Sequence, residues 1–136
     1  PLYVGKAENS LLARDLHTHF ATGRTGWSSP RRSFAALLVD QLDLTPTARR
    51  PENPEPDKWT HYSLESAGDE RLTEWMLDHL RLTAWTAMNA SGMLGAMEVS
   101  VIRRLAPPLN LTGVRQPWSG QVRAARAALA RLAASG

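Results

Sequence analysis

A phenol, an ammonium and a guanidinium occur close together near the start of this chain, at Tyr3, Lys6 and Arg14. The apolar, β-prone run 2–5 comes before Lys6, and a helical pattern that carries Arg14 follows it. A strand-to-helix turn can aim several side chains at one small volume, and this cationic set suits an anionic phosphate. Each residue also has an ordinary structural interpretation, because Tyr3 fits a core-facing strand and the two cations fit a solvated surface.

Glu98 is the one acidic residue after position 80. Leu94 and Ile102 flank it at four-residue spacing in a predicted helix over 93–105, so we expect its side chain on the core side. A buried carboxylate without a partner is costly, and Glu98 therefore requires an arginine, a lysine or a divalent metal. The alternative places Glu98 at the edge of the apolar stripe, paired with Arg103 or with a neighbouring strand.

The composition is that of a globular protein, and 136 residues fit one domain. The chain contains no cysteine, which excludes disulfides, thiolate metal sites and cysteine nucleophiles. Net charge is +3 over residues 1–50, −6 over 51–80 and +6 over 81–136, and 14 of the 16 basic residues are arginine. Two explanations fit this distribution equally well: a polyanionic partner, or an arginine-rich composition with ordinary solvated surfaces. No apolar run approaches the ~20 residues of a membrane span and no signal-peptide pattern opens the chain, so we expect a cytoplasmic protein.

The periodicity predicts a mixed α/β chain. Strands are expected at 2–5, 59–64 and 80–87, and helices at 10–20, from 29 onward, at 69–79, at 93–105 and from 119 onward. Asn9 or Ser10 is expected to cap the first helix, and Ser29 before Pro30 the second. The segment 45–58 holds four prolines and predicts an exposed loop. That loop, or the acidic segment 51–80, could contact a partner protein.

The residues named above resemble the GIY-YIG nuclease family when taken in order. The resemblance is carried by Leu2-Tyr3-Val4-Gly5-Lys6-Ala7, Leu11, Arg14, His19-Phe20, Glu98 and Pro107-Pro108-Leu109-Asn110. Residues 3–5 are similar to the second of the two name-giving strands, and 23–32 to a segment rich in serine and arginine in some bacterial members. The resemblance implies an α/β (α+β) fold, a small three-stranded antiparallel sheet flanked by helices. The first name-giving strand is not found before Tyr3.

The resemblance further implies a metal-dependent endonuclease that hydrolyses DNA with Mg²⁺ (or Mn²⁺). Glu98 would hold the metal, and Tyr3 would act as general base or orient the attacking water. Lys6 would favour the phenolate form of Tyr3, and Arg14 would clamp the phosphate. Asn110 would support the site.

Two histidines and three arginines complete the candidate set. Family members often carry a histidine or tyrosine one turn after the arginine, where this chain has Thr18. His17 shares the face of Arg14 by α-helical spacing, whereas His19 matches the family's sequence pattern, so both are candidate catalytic residues. The proposed contacts to the DNA backbone are Arg24, Arg31 and Arg32.

The expected organisation is a nuclease domain over 1–116 followed by a C-terminal helix over 117–136. The alternative function is a catalytically silent DNA-binding or protein-interaction module with the same fold.

Overall fold

The computed structural model describes residues 1–49, 61–85, 92–112 and 117–135. In chain order the elements are a π-helix at Leu12–His19, a 3₁₀ helix at Thr25–Trp27, α1 at Ser29–Leu38, β1 at Pro46–Thr47, β2 at Ser63–Leu64, α2 at Ser66–His79, α3 at Leu94–Leu105 and α4 at Ser119–Ser135. The described part of the chain is mostly helical. None of its helices has the length and apolar character to cross a membrane.

All five predicted helices form, and local hydrogen bonds account for two of their starts. Ser10 Oγ accepts the Ala13 N–H at 3.1 Å ahead of the first helix. Ser28 Oγ accepts the Arg31 N–H at 3.3 Å, so the cap of α1 lies one residue before the predicted Ser29. The first helix has π geometry, and at its end the Phe20 N–H bonds to the Asp15 carbonyl five residues back.

The prediction of a three-stranded antiparallel sheet is wrong for the described residues, which contain a two-stranded antiparallel sheet. Pro46 pairs with Leu64, and Thr47 pairs with Ser63. The strand β2 lies inside the predicted strand 59–64, whose first two residues are outside the described ranges. The strand β1 interrupts the predicted loop 45–58, of which residues 50–58 also lie outside them.

The other two predicted strands fail for different physical reasons. Within the described part of the chain, no strand lies beside residues 2–5, and a side chain and a loop N–H bond to their backbone instead. Residues 80–85 form no regular structure, and the alternation seen there buries no face, since Leu82 is 50% and Trp85 67% exposed. The remaining two residues of that predicted strand, 86–87, lie outside the described ranges.

The core lies between α1, α2 and α4. Its larger apolar members are Phe34, Tyr62, Leu64, Leu72, Met76, Val122 and Leu129. The predicted stripes are only partly buried, because Leu37 of α1 and Leu132 of α4 are more than half exposed. The π-helix and α3 bury no residue fully and lie at the edge of this core, where their polar side chains remain accessible.

Candidate active site

Asn110 binds the N-terminal segment to the end of α3. The helix ends at Leu105 because Ala106 adopts a left-handed conformation (φ 46°) and prolines follow. The Asn110 side chain, nearly buried, accepts the Val4 N–H at 2.8 Å and donates to the Val4 carbonyl at 2.7 Å. The Leu109 N–H donates to the Leu2 carbonyl at 2.9 Å. The Asn110 amide thus takes the place of a strand neighbour at Val4, and the Leu109 N–H fixes the backbone on the other side of Tyr3 at Leu2.

Arg14 bonds to the hydroxyl of Tyr3. Its Nη2 donates to the phenol oxygen at 3.3 Å, and both side chains are half-buried. Gly5 makes the approach possible, because a Cβ at that position would lie 2.6 Å from Arg14 Nη2 and 3.0 Å from Tyr3 Cε1. The cation that contacts the phenol is therefore Arg14.

Glu98 reaches the same turn from α3. Its Oε1 accepts the Lys6 N–H at 3.1 Å, so a carboxylate 92 positions away lies against the residue that follows Gly5. The Glu98 side chain is half-buried and faces the N-terminal segment. The Lys6 ammonium pairs with Glu8 at 2.5 Å, which raises the pKa of Lys6 and lowers the pKa of Glu8. Lys6 thus contributes its backbone to the site and directs its charge toward Glu8.

The structure separates the two histidine candidates. The ring of His19 meets the ring of Tyr3 edge to face, with centroids 5.9 Å apart, whereas His17 is exposed. In an α-helix the residue one turn after Arg14, on the same face, is Thr18. In the π-helix the hydrogen bonds join residues five apart, so the residue one turn after Arg14 is His19. The π geometry therefore groups His19 with Arg14 and Tyr3.

Ser28 orients the His19 ring. Ser28 Oγ lies 2.9 Å from His19 Nδ1 while it also accepts the Arg31 N–H. The Ser28 hydroxyl can donate to Nδ1 or accept from it, so this contact orients the imidazole ring in either neutral tautomer. Burial lowers the pKa of His19 to about 4, and the charges of Arg14 and Arg31 contribute, so the ring is neutral at pH 7.

An open depression lies beside Arg14. Its walls are formed by Lys6, Ala7, Glu8, Asn9, Ser10, Ala13, Arg14 and Thr18. Arg14 lines this depression, and its guanidinium also contacts Tyr3, so an anion bound there by Arg14 would lie near the phenol.

Arg31 and Arg32 are buried, unlike the exposed Arg24. Arg31 forms an ion pair with Asp69 at 3.2 Å and also donates to Thr73 Oγ1 at 2.9 Å. Arg32 donates to the Gly26 carbonyl at 2.7 Å, and burial lowers its pKa to about 10. Because their guanidiniums are turned inward, neither side chain presents a charge at the surface for a DNA backbone.

Sequence reasoning missed Asp69 and Ser28. The carboxylate of Asp69 accepts bonds from the Gly23 N–H, the Thr25 hydroxyl and Arg31, and so fixes the loop after the π-helix. Its position at the start of a predicted helix in an acidic segment gave no sign of this role. The signal for Ser28 was present in Ser28-Ser29-Pro30, where either serine fits a helix cap.

The geometry defines a class of site: a tyrosine and an arginine at a glycine turn, with a glutamate supplied by a distant helix. A family model described as the GIY-YIG catalytic domain matches residues 1–131. The chain belongs to the GIY-YIG family, as its sequence pattern predicts. No curated protein and no solved structure matches the chain.

Membership indicates a nuclease of the endonuclease type that acts on DNA. Nucleases of this family generally depend on a metal.

Proposed function

We propose that this chain is a DNA endonuclease that hydrolyses phosphodiester bonds with Mg²⁺ or Mn²⁺, with Tyr3 as general base and Glu98 as metal ligand. The observation that carries the proposal is the bond from the Lys6 N–H to Glu98. It brings a carboxylate to the turn where Arg14 contacts the Tyr3 hydroxyl. A phenol, a guanidinium and a carboxylate thus all belong to or contact the segment 3–6, and they would serve as base, phosphate clamp and metal ligand.

The residues present fit a hard divalent cation. In the described ranges no three side chains of the metal-binding types come together, so the protein would supply Glu98 and leave other positions to water and phosphate. Mg²⁺ commonly binds in this way, with one or two carboxylates and several retained waters. Glu98 Oε1 uses one lone pair on Lys6, and its second oxygen remains as a ligand. When bound, the cation stabilises negative charge on the scissile phosphate and on the leaving oxygen.

The chain's own groups would handle the water and the phosphate. In its phenolate form Tyr3 would take a proton from the attacking water and become a phenol, and the guanidinium of Arg14 donates to that oxygen. Arg14 also faces the adjoining depression, where its planar fork suits two phosphate oxygens. Neutral His19 holds the Tyr3 ring from the side, and Asn110 holds its backbone.

We assign the contact to the DNA backbone to Arg24 rather than to Arg31 or Arg32. Arg24 is exposed at the start of the 3₁₀ turn, whereas the other two are held inside. Arg24→Ala is expected to weaken binding equally for all sequences and to lower the salt dependence of log Kd by about one unit. The cytoplasmic location, the 1–116 and 117–136 domain division and a protein contact through 45–58 or 51–80 stay predictions.

The test is nicking of supercoiled plasmid by the purified chain, with and without Mg²⁺ or Mn²⁺. Tyr3→Phe and Glu98→Gln should each slow nicking by about 100-fold or more, since each removes one participant in the reaction. Glu74→Gln on the exposed face of α2 is the matched control and should nick normally. Circular dichroism of each variant verifies folding.

Two results would contradict the proposal. Equal nicking by the native chain and Glu98→Gln would show that Glu98 is not the metal ligand. DNA binding with no nicking under any metal would identify a catalytically silent binding module instead.

A further inference from the structure

Trp27 is exposed on a turn that is anchored by the buried side chain of Thr25. The side chain is 51% exposed, yet Thr25 two residues earlier is buried. The Thr25 hydroxyl donates to Asp69 and accepts from Arg31 Nε at 3.1 Å, and the Trp27 N–H bonds to the Arg24 carbonyl at 3.0 Å. A large aromatic ring is thus held at the surface by a turn anchored to a buried ion pair.

Arg49 lies over this ring. Its guanidinium carbon is 5.2 Å from the centroid of the Trp27 ring, within the range of a cation–π contact. Its aliphatic part covers Gly26, where a Cβ would lie 3.1 Å from Arg49 Cγ and 2.6 Å from Ser63 Oγ. The absence of a side chain at Gly26 therefore leaves room for Arg49, and exposed Arg24, whose carbonyl accepts the Trp27 N–H, supplies a second cation on the same turn.

This surface adjoins the candidate active site. Ser28, the next residue after Trp27, lies 2.9 Å from His19, and the His19 ring contacts Tyr3. A nucleotide near Trp27 would thus lie a short distance along the strand from a phosphate at Arg14.

We propose that Trp27, with Arg24 and Arg49, stacks on an unpaired nucleobase, so that the substrate carries a single-stranded segment next to the cleaved phosphate. The proposal rests on the proposed nuclease function. Inside a duplex both faces of a base are covered by its neighbours, so an indole can stack only on a base outside the helix or at its end. An aromatic ring flanked by arginines is the arrangement that binds such bases without regard to sequence.

The test compares two DNAs in buffer with EDTA, where no cleavage competes with binding. One is a relaxed, covalently closed circular duplex, which has neither ends nor unpaired bases, and the other is a duplex with a single-stranded extension carrying 2-aminopurine at the first unpaired position. Trp27→Ala should lose about 10-fold or more in affinity for the extended DNA and change little for the duplex. Trp27→Phe should retain most of the affinity, because a phenyl ring still stacks. Trp85→Ala, which removes a tryptophan 67% exposed elsewhere, is the control and should bind both DNAs normally.

Fluorescence separates stacking from a general loss of binding. Contact with Trp27 should quench 2-aminopurine in the native chain and not in Trp27→Ala at saturating protein. Equal affinity of Trp27→Ala and the native chain for the extended DNA would overturn the proposal. Dissociation of a dimer by Trp27→Ala would also overturn it, because a second copy would then cover the ring. Since binding is measured without metal, absence of plasmid nicking would refute the nuclease function and leave this result standing.

Discussion

Replacing Asp69 with asparagine tests whether Arg31 is a structural cation rather than a DNA contact. All three partners of this carboxylate described above are donors: the Gly23 N–H, the Thr25 hydroxyl and Arg31 Nη2. An asparagine has the same shape but must turn its NH₂ toward one of them. Burial already lowers the pKa of Arg31, and the Asp69 charge opposes that shift. The substitution leaves the guanidinium buried without a counter-charge.

The expected loss is large compared with the stability of a domain this size. Removing one partner of a buried ion pair costs about 3–5 kcal/mol, whereas a domain is stable by about 5–15 kcal/mol. Both side chains are essentially inaccessible, at 0% and 2% exposure, so solvent does not reduce this figure as it does for a surface pair. We therefore expect the free energy of unfolding of Asp69→Asn to fall by about 3–5 kcal/mol.

Urea denaturation followed by circular dichroism measures this change. Asp78→Asn removes an exposed carboxylate from the same helix and should stay within about 0.5 kcal/mol of the native chain. Equal midpoints for the two variants would refute the reasoning, because the ion pair would then contribute no more than a surface charge.

Three other substitutions test the site. Gly5→Ala should slow nicking by about 10-fold or more, since its Cβ displaces the Arg14 guanidinium, and unchanged nicking would contradict the close approach. Ser28→Ala should lower the free energy of unfolding by about 1 kcal/mol or more, measured in urea, because it removes both the α1 cap and the hydroxyl beside His19 Nδ1, and unchanged stability would contradict both contacts. His19 binds protons more weakly in the folded chain (pKa about 4) than in the unfolded chain (about 6.5), so stability should fall by about 1 kcal/mol from pH 7 to 5.5. In His19→Gln the part of this loss of stability that comes from His19 should be absent. If the stability of His19→Gln and of the native chain depended on pH in the same way, the lowered pKa of His19 would be contradicted.

Helices were the predictable part of this fold, and the sheet was not. Helix periodicity and caps are local, so a serine before Pro30 and the apolar spacing were sufficient to place α1 within one residue of its observed start. Strand formation depends on a distant partner, and the alternating residues 80–85 bury no face against which to pair. Residues 2–5 have strand-like composition, but the Asn110 amide satisfies their backbone.

The site shows the same division between local and distant causes. Tyr3 and Arg14 were identified from residue types within one turn, and the structure brings them into contact. The sequence left both histidines as candidates, because α-helical spacing favoured His17 and the family pattern favoured His19, and hydrogen bonding five residues apart left no trace in the sequence. The burial of Arg31 depends on Asp69, 38 positions away. Because the sequence shows only the formal charge of Arg31, it was predicted to lie at the surface.

The hydrogen bonds between Asn110 and Val4 make the segment around Tyr3 a unit that can unfold locally. Three hydrogen bonds join residues 2–4 to residues 109–110, and breaking them does not require separation of α1 from α4. The free energy of this opening therefore lies below that of global unfolding. The Val4 amide should exchange its hydrogen sooner than amides in the middle of α1 or α4. Warming should accordingly release the tyrosine while the helices are still intact, so that catalysis is lost reversibly at a temperature below the midpoint of denaturation.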